Sequence, residues 1–118
     1  MKDILERLNE VAGVKGSMVV TTDGIVVASA LENLGDDLDE ETVAALSTHM
    51  IRSGRRALER IGHEPFKRVI LNASWGRMIF LDMEIAFLVV AATQNIKLGS
   101  ILIEIDSAAY KIRHRRVH

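Results

Sequence analysis

The sequence predicts an α+β fold: a five-stranded antiparallel sheet with one central helix on one face and two terminal helices on the other, in the order αββαβββα. Three observations predict it. A 3.6-residue hydrophobic period runs from Asp39 to Ile61 and separates two groups of short β-branched runs. Tight turns, the clearest being Asp23-Gly24, join successive strand candidates, so neighbours run antiparallel. The run Ile85–Ala92 is apolar throughout, and a strand with no polar face is covered on both sides. Helices are therefore expected on both faces of the sheet.

The elements follow in order. Asp3 to Ala12 places Ile4, Leu5, Leu8 and Val11 on one stripe, a first helix with Gly13 as its C-terminal cap. Val14-Lys15-Gly16 reads as a connector. Ser17–Thr22 and Ile25–Ala30 are strands about the Asp23-Gly24 turn. Glu32–Leu38 is polar and loop-like. The central helix then runs to Ile61, with Glu40 and Glu41 in its first turn and Arg60 in its last, as the helix dipole favours. It stops near Gly62, and Pro65 forbids further helix. Phe66–Ala73, Arg77–Asp82 and Ile85–Ala92 are three more strands, with turns at Ser74-Trp75-Gly76 and Met83-Glu84. A last helix carries Leu98, Ile101, Leu102, Ile105, Ala108, Ala109 and Ile112 on one stripe and runs out at Arg113–His118.

Composition narrows the functional classes. At 118 residues the chain suits one domain, 1–118, with a single core. Fifteen basic and sixteen acidic residues give a net charge of -1, which is no footprint for nucleic acid. No cysteine is present, so disulfides, thiolate zinc sites and a cysteine nucleophile are excluded. The start of the chain turns polar at Glu6-Arg7, unlike a signal peptide, and no apolar run approaches the roughly 20 residues that span a bilayer. A cytoplasmic protein without membrane insertion is the expectation.

No residue set converges on a reaction. His49, His63, His114 and His118 read as solvent-facing; the last two have i, i+4 spacing but stand in the fraying end of a helix. Ser47, His49 and Asp39 are not a triad, since a regular helix offers neither a strained elbow nor an oxyanion loop. The glycines form no phosphate-cradling pattern. The carboxylates Asp36, Asp37, Asp39, Glu40 and Glu41 lack a calcium-loop pattern and read as a solvated loop before a helix. The basic tail Arg113-His114-Arg115-Arg116 reads as a positive helix end. No enzyme, cofactor or metal is expected.

What remains is surface. On the central helix, Val43, Leu46, Ser47, Met50, Gly54, Ala57, Leu58 and Ile61 share the face expected to meet the sheet. His49, Arg52, Arg55, Arg56 and Glu59 lie opposite, either as a soluble face or as a docking surface, arginine being enriched in interfaces. Ala44 and Ile51 fall off the core stripe and widen the apolar surface towards one flank. The small residues Ala44, Ala45, Ser53 and Gly54 would let another helix approach. The strand after Pro65 is expected at a sheet edge, because it continues only into the next hairpin strand. Val69-Ile70-Leu71-Asn72 is a poor sequence to leave on an open edge, and pairing with a second copy would close it.

The element order, the hairpin Val20-Thr21-Thr22-Asp23-Gly24-Ile25-Val26-Val27-Ala28-Ser29, the long central helix and the strand Phe87-Leu88-Val89-Val90-Ala91-Ala92 together resemble the roadblock domain family. That family includes the dynein light chain roadblock and bacterial regulators of gliding-motility GTPases. The resemblance implies a profilin-like fold and a homodimer joined through the third strands and central helices, here Val69, Ile70, Leu71, Asn72, Ala44 and Ile51. It implies no catalysis. It implies binding to a small Ras-like GTPase, another roadblock-type protein or a motor-like assembly, over a surface that maps onto His49, Arg52, Arg55, Arg56 and Glu59. The alternative, from the residues alone, is a small-ligand or ion sensor, since a two-faced sheet with a polar loop at Glu32–Leu38 also suits one.

Overall fold

The computed structural model describes residues 1–31, 39–62, 67–74 and 76–114. The expectations for the Glu32–Leu38 loop, for His63, Pro65 and Trp75, and for the tail beyond His114 lie outside the described residues. The elements are α1 (Lys2–Asn9), β1 (Val14–Thr21), β2 (Val26–Ala30), α2 (Glu40–Ile61), β3 (Arg68–Ala73), β4 (Gly76–Asp82), β5 (Ala86–Ala92) and α3 (Leu98–Arg113). This is the αββαβββα order read from the sequence.

The strands form one antiparallel sheet in the order β2-β1-β5-β4-β3. The uniformly apolar β5 lies at its centre and is buried at every position. The strand pleat sends alternate side chains to opposite faces. On one face Val19, Ile79, Leu81, Leu88 and Val90 meet Leu5 and Leu8 of α1 and Ile101, Ile105, Ala108, Ala109 and Ile112 of α3. On the other, Met18, Val20, Met78, Phe80, Phe87 and Val89 meet Val43, Ala44 and Ile51 of α2. The terminal helices therefore share one face and the central helix has the other, as the patterning requires.

Polar contacts fix the first of these layers. Ser17, fully buried on β1, donates its hydroxyl to the Asn9 Oδ1 of α1 at 2.8 Å, and Asn9 Nδ2 donates to the Ala30 carbonyl of β2 at 2.7 Å. Arg68 of β3 reaches Asp106 of α3 at 2.7 Å.

Several boundaries differ from the sequence reading. Helix α1 ends at Asn9, three residues short of Ala12, because the next N–H groups bond three residues back in tight turns (Glu10 to Arg7, Val11 to Leu8, Val14 to Val11). Val14–Gly16 is strand and not connector: Val14 pairs with Ala92 and Gly16 with Ala91 across a bulge, so the long β5 supplies partners earlier than the side chains suggest. Ile25 and Ile85 stand just before their strands and are 64% and 82% exposed. Gly76, expected in a turn, opens β4 opposite Ala73. Its φ of 155° and its approach to β5 explain the glycine, since a Cβ there would stand 2.3 Å from the Ala92 carbonyl oxygen.

Candidate functional site

The candidate surface is built on α2. Its start is set by Asp39, whose side chain accepts the Thr42 N–H at 2.7 Å as an N-cap. Hydrogen bonds from the Thr42 hydroxyl and N–H hold the Asp39 carboxyl below its ordinary value. The helix then runs 22 residues, yet only Val43, Ala44, Ser47 and Ile51 are buried.

That set corrects the expected face. Ala44 and Ile51, expected to widen the surface for another chain, are each 2% exposed and pack on the sheet beside Phe80, Phe87 and Val89. They are core and unavailable to a second copy. Leu46 and Ile61, expected to hold the helix to the sheet, are 42% and 81% exposed. Met50, Gly54 and Leu58 are half-buried, and Ala57 is exposed. The helix is rotated about its axis by roughly 60° from the orientation that hydrophobicity alone selects.

The reason lies on one flank. Thr48 packs on the β1–β2 turn, where Gly24 takes a φ of 89° and where a Cβ would stand 3.2 Å from the Thr48 hydroxyl. Arg52 donates to the Thr22 carbonyl at 3.2 Å and lies 3.8 Å from Asp23. Arg55 pairs with Asp82 at 3.1 Å and lays its guanidinium over the Phe87 ring at 4.8 Å. Asp82 also accepts the Glu84 N–H at 2.7 Å on its other carboxylate oxygen, which holds the carboxylate in place beside Arg55. These contacts pull the Thr48–Arg52–Arg55 flank onto the strand-end turns and lift the Leu46–Met50–Ala57–Ile61 flank into solvent. Polar anchoring, which a hydrophobic count ignores, decides the rotation.

The residues singled out in the sequence thus separate into groups. His49 and Arg56 are exposed on the outward side of α2, and Glu59 is exposed beside the Arg52 flank. Arg52 and Arg55 share that helix but are tied to the body of the protein. Val69, Ile70 and Leu71 are half-buried on β3 and Asn72 is exposed. Strand β3 is an edge of the sheet, as expected, pairing only with β4. Its side chains split between layers: Val69 and Leu71 pack towards α2, Ile70 towards α3. Sequence reasoning missed the exposed flank of α2, although one signal was available: its apolar members are spaced symmetrically. Leu46 and Ile61 are equidistant from the point between Ser53 and Gly54, and so are Met50 and Ala57.

Ser47 is fully buried, and its hydroxyl has no hydrogen-bond partner among the described residues. An open groove of about 570 Å³ runs between the β1–β2 turn and the first half of α2, lined by Asp23, Glu40, Glu41, His49 and Arg52 among others. Carboxylates and cations share its walls. Among the described residues no group of three or more potential ligands is placed to hold a metal ion, and no helix is long and apolar enough to cross a membrane. His114 stacks on Tyr110 at 4.0 Å between ring centroids, with Nδ1 2.8 Å from the Tyr110 carbonyl, so it is engaged within α3.

Comparison with known proteins places this geometry. The profile of the Roadblock/LC7 domain family matches residues 1–92. The uncharacterized protein MJ1340 of Methanocaldococcus jannaschii is 33% identical over 110 residues, covering 93% of this chain and 94% of that one. Among solved structures, a Roadblock/LC7 domain from Streptomyces avermitilis superposes with a TM-score of 0.85 at 18% identity, over 96% of this chain and 94% of that one. Myxococcus xanthus MglB superposes with a TM-score of 0.84 at 18% identity, over 95% and 90%. A Schizosaccharomyces pombe profilin superposes at 0.62 with 11% identity, over 94% and 95%.

Proposed function

The chain belongs to the Roadblock/LC7 domain family, and from that premise we propose that it is a non-catalytic homodimeric regulator or scaffold that binds a small Ras-like GTPase, or another roadblock-type protein, through paired central helices. Family resemblance supplies the partner class, and MglB is among the structural neighbours. The observation that carries the dimer is the exposed apolar flank of α2.

The flank is self-complementary. If two α2 helices lie antiparallel about a two-fold axis between Ser53 and Gly54, Leu46 of one copy faces Ile61 of the other and Met50 faces Ala57. The small residues Ser53, Gly54 and Ala57 then occupy the middle, where the backbones come closest, and the bulky residues fill the ends. A two-fold interface needs such a patch. The open β3 edge is the second surface, closed when two β3 strands pair across the same axis. The single domain of residues 1–118 is then one half of the working unit.

Leu46→Asp tests the helix pairing. A two-fold interface loses each side chain twice, and burying the exposed two-fifths of Leu46 contributes about 0.6–1.3 kcal/mol per copy, so dimer affinity should fall at least about tenfold. Sedimentation velocity should show a monomer with unchanged circular dichroism. A variant that still sediments as a dimer removes α2 from the interface. Ile70→Asp is a poorer probe, because Ile70 packs towards α3 and its loss disturbs the fold itself. For the partner, retention of GTP-loaded Ras-like GTPases from the same genome on the immobilised protein is the expected result. Failure to retain any of them, in either nucleotide state, overturns the GTPase reading. The ligand-sensor alternative rests on the open groove beside α2, and a metabolite that raises the melting temperature by mass action would support it.

A further inference from the structure

We infer that the protein partner of this dimer presents an acidic surface, which docks on a basic ridge formed where the outward sides of the two α2 helices run side by side. The inference rests on the dimer reading for the extent of the ridge and goes beyond it in naming the chemistry of the partner.

The chain as a whole is close to neutral, with a net charge of -1. Its charge is not evenly spread. On α2 the positions opposite the buried Ser47 are Ala45, His49, Arg56 and Arg60, all exposed. The exposed carboxylates Glu41 and Glu59 lie about 60° round from that line, on the flank that faces the strand-end turns. The outermost line of the helix therefore carries the guanidiniums of Arg56 and Arg60 and no carboxylate.

The four arginines of α2 are not equivalent. Arg52 is satisfied by Thr22 and Asp23, and Arg55 by Asp82 and Phe87. Arg56 and Arg60 make no ion pair among the described residues. The helix dipole accounts for a cation in the last turn, which suits Arg60, but Arg56 stands a turn earlier. Two guanidiniums at i, i+4 with no ion pair among the described residues, on a helix whose other arginines are occupied, form a recognition surface rather than a stabilising network.

Antiparallel pairing about the Ser53–Gly54 point extends this line. At 1.5 Å per residue the Arg60 positions of the two copies stand about 20 Å apart along the axis, with both Arg56 positions between them. Like charges gathered on one rigid strip steer a partner of opposite sign and set its orientation. Duplex nucleic acid fits the strip less well than an acidic protein face, since the remaining surface would confront the phosphates with as many carboxylates as cations.

The test compares Arg56→Glu/Arg60→Glu with a control, Lys97→Glu/Lys111→Glu, which reverses two exposed cations on or beside α3. Polyglutamate is the acidic-polypeptide probe; equimolar phosphatidylcholine–phosphatidylserine vesicles and duplex DNA are the competing anions. Each protein is run in sedimentation velocity and titrated with each probe. The ridge variant should lose polyglutamate affinity by about tenfold or more and the control by less than about twofold. Equal losses in the two variants overturn the inference. So does tighter ridge-dependent binding to vesicles or DNA than to polyglutamate. Wild-type protein that sediments as a monomer overturns the dimer reading, and the ridge is then decided by the two titrations alone.

Discussion

The two helical layers of this protein are built to different standards. Helix α3 has 16 residues and buries five of them, all apolar, beside two leucines of α1. Helix α2 has 22 residues and buries four, one of them a serine with an unpartnered hydroxyl. The terminal layer is closed by hydrophobic burial and by the Ser17–Asn9 and Arg68–Asp106 contacts. The central layer is held along one flank by polar anchors and leaves its other flank bare. The difference separates a face closed by its own chain from one that leaves an apolar flank in solvent.

The largest effect expected from that contrast lies in the terminal layer. Ile105→Ala, at a fully buried position, should lower the unfolding free energy by about 2–5 kcal/mol in urea denaturation. Ile61→Ala, the same change at the exposed end of α2, should alter it by no more than about 0.5 kcal/mol in a Leu46→Asp background. Comparable losses at both positions would erase the distinction between the layers.

Within α2, Ser47→Ala should gain about 1 kcal/mol in the same measurement, because it removes a buried hydroxyl with no partner among the described residues and improves helix propensity. A loss there would mean the hydroxyl has a partner. Arg55→Ala should cost somewhat less, about 0.5–1 kcal/mol, through its ion pair with Asp82 and its contact with Phe87. A neutral result would remove polar anchoring as the cause of the helix rotation.

The smallest effect concerns the exposed cap. The Asp39 carboxyl is held below its ordinary value of 3.8, so its contribution is complete above that pH and is lost as the pH falls through the lowered native value. Asparagine caps without titrating. The melting-temperature advantage of wild type over Asp39→Asn should therefore be present at neutral pH and vanish in acid. An advantage that persists below the lowered value would show that the charge plays no part.

The sequence by itself determined the elements, their order and the two-sided sheet, because those follow from local periodicity and turn chemistry. The apolar run of β5 demanded cover on both faces, Asp23-Gly24 demanded a hairpin, and the β3 hairpin placed that strand at an edge. Local pattern also located the central helix. It could not orient it. Hydrophobicity marks a broad apolar arc on α2 that includes Leu46, Met50 and Ile61 as readily as Ala44 and Ile51, and either half can meet a sheet. Tertiary structure made the choice through Thr48 on Gly24, Arg52 on Thr22 and Arg55 on Asp82, contacts between residues distant in sequence that no helical period encodes. Those contacts turned Ala44 and Ile51 into core and left Leu46 and Ile61 outside. An exposed apolar flank is the product of that rotation, which is why the candidate interface was visible only once the helix had been seated.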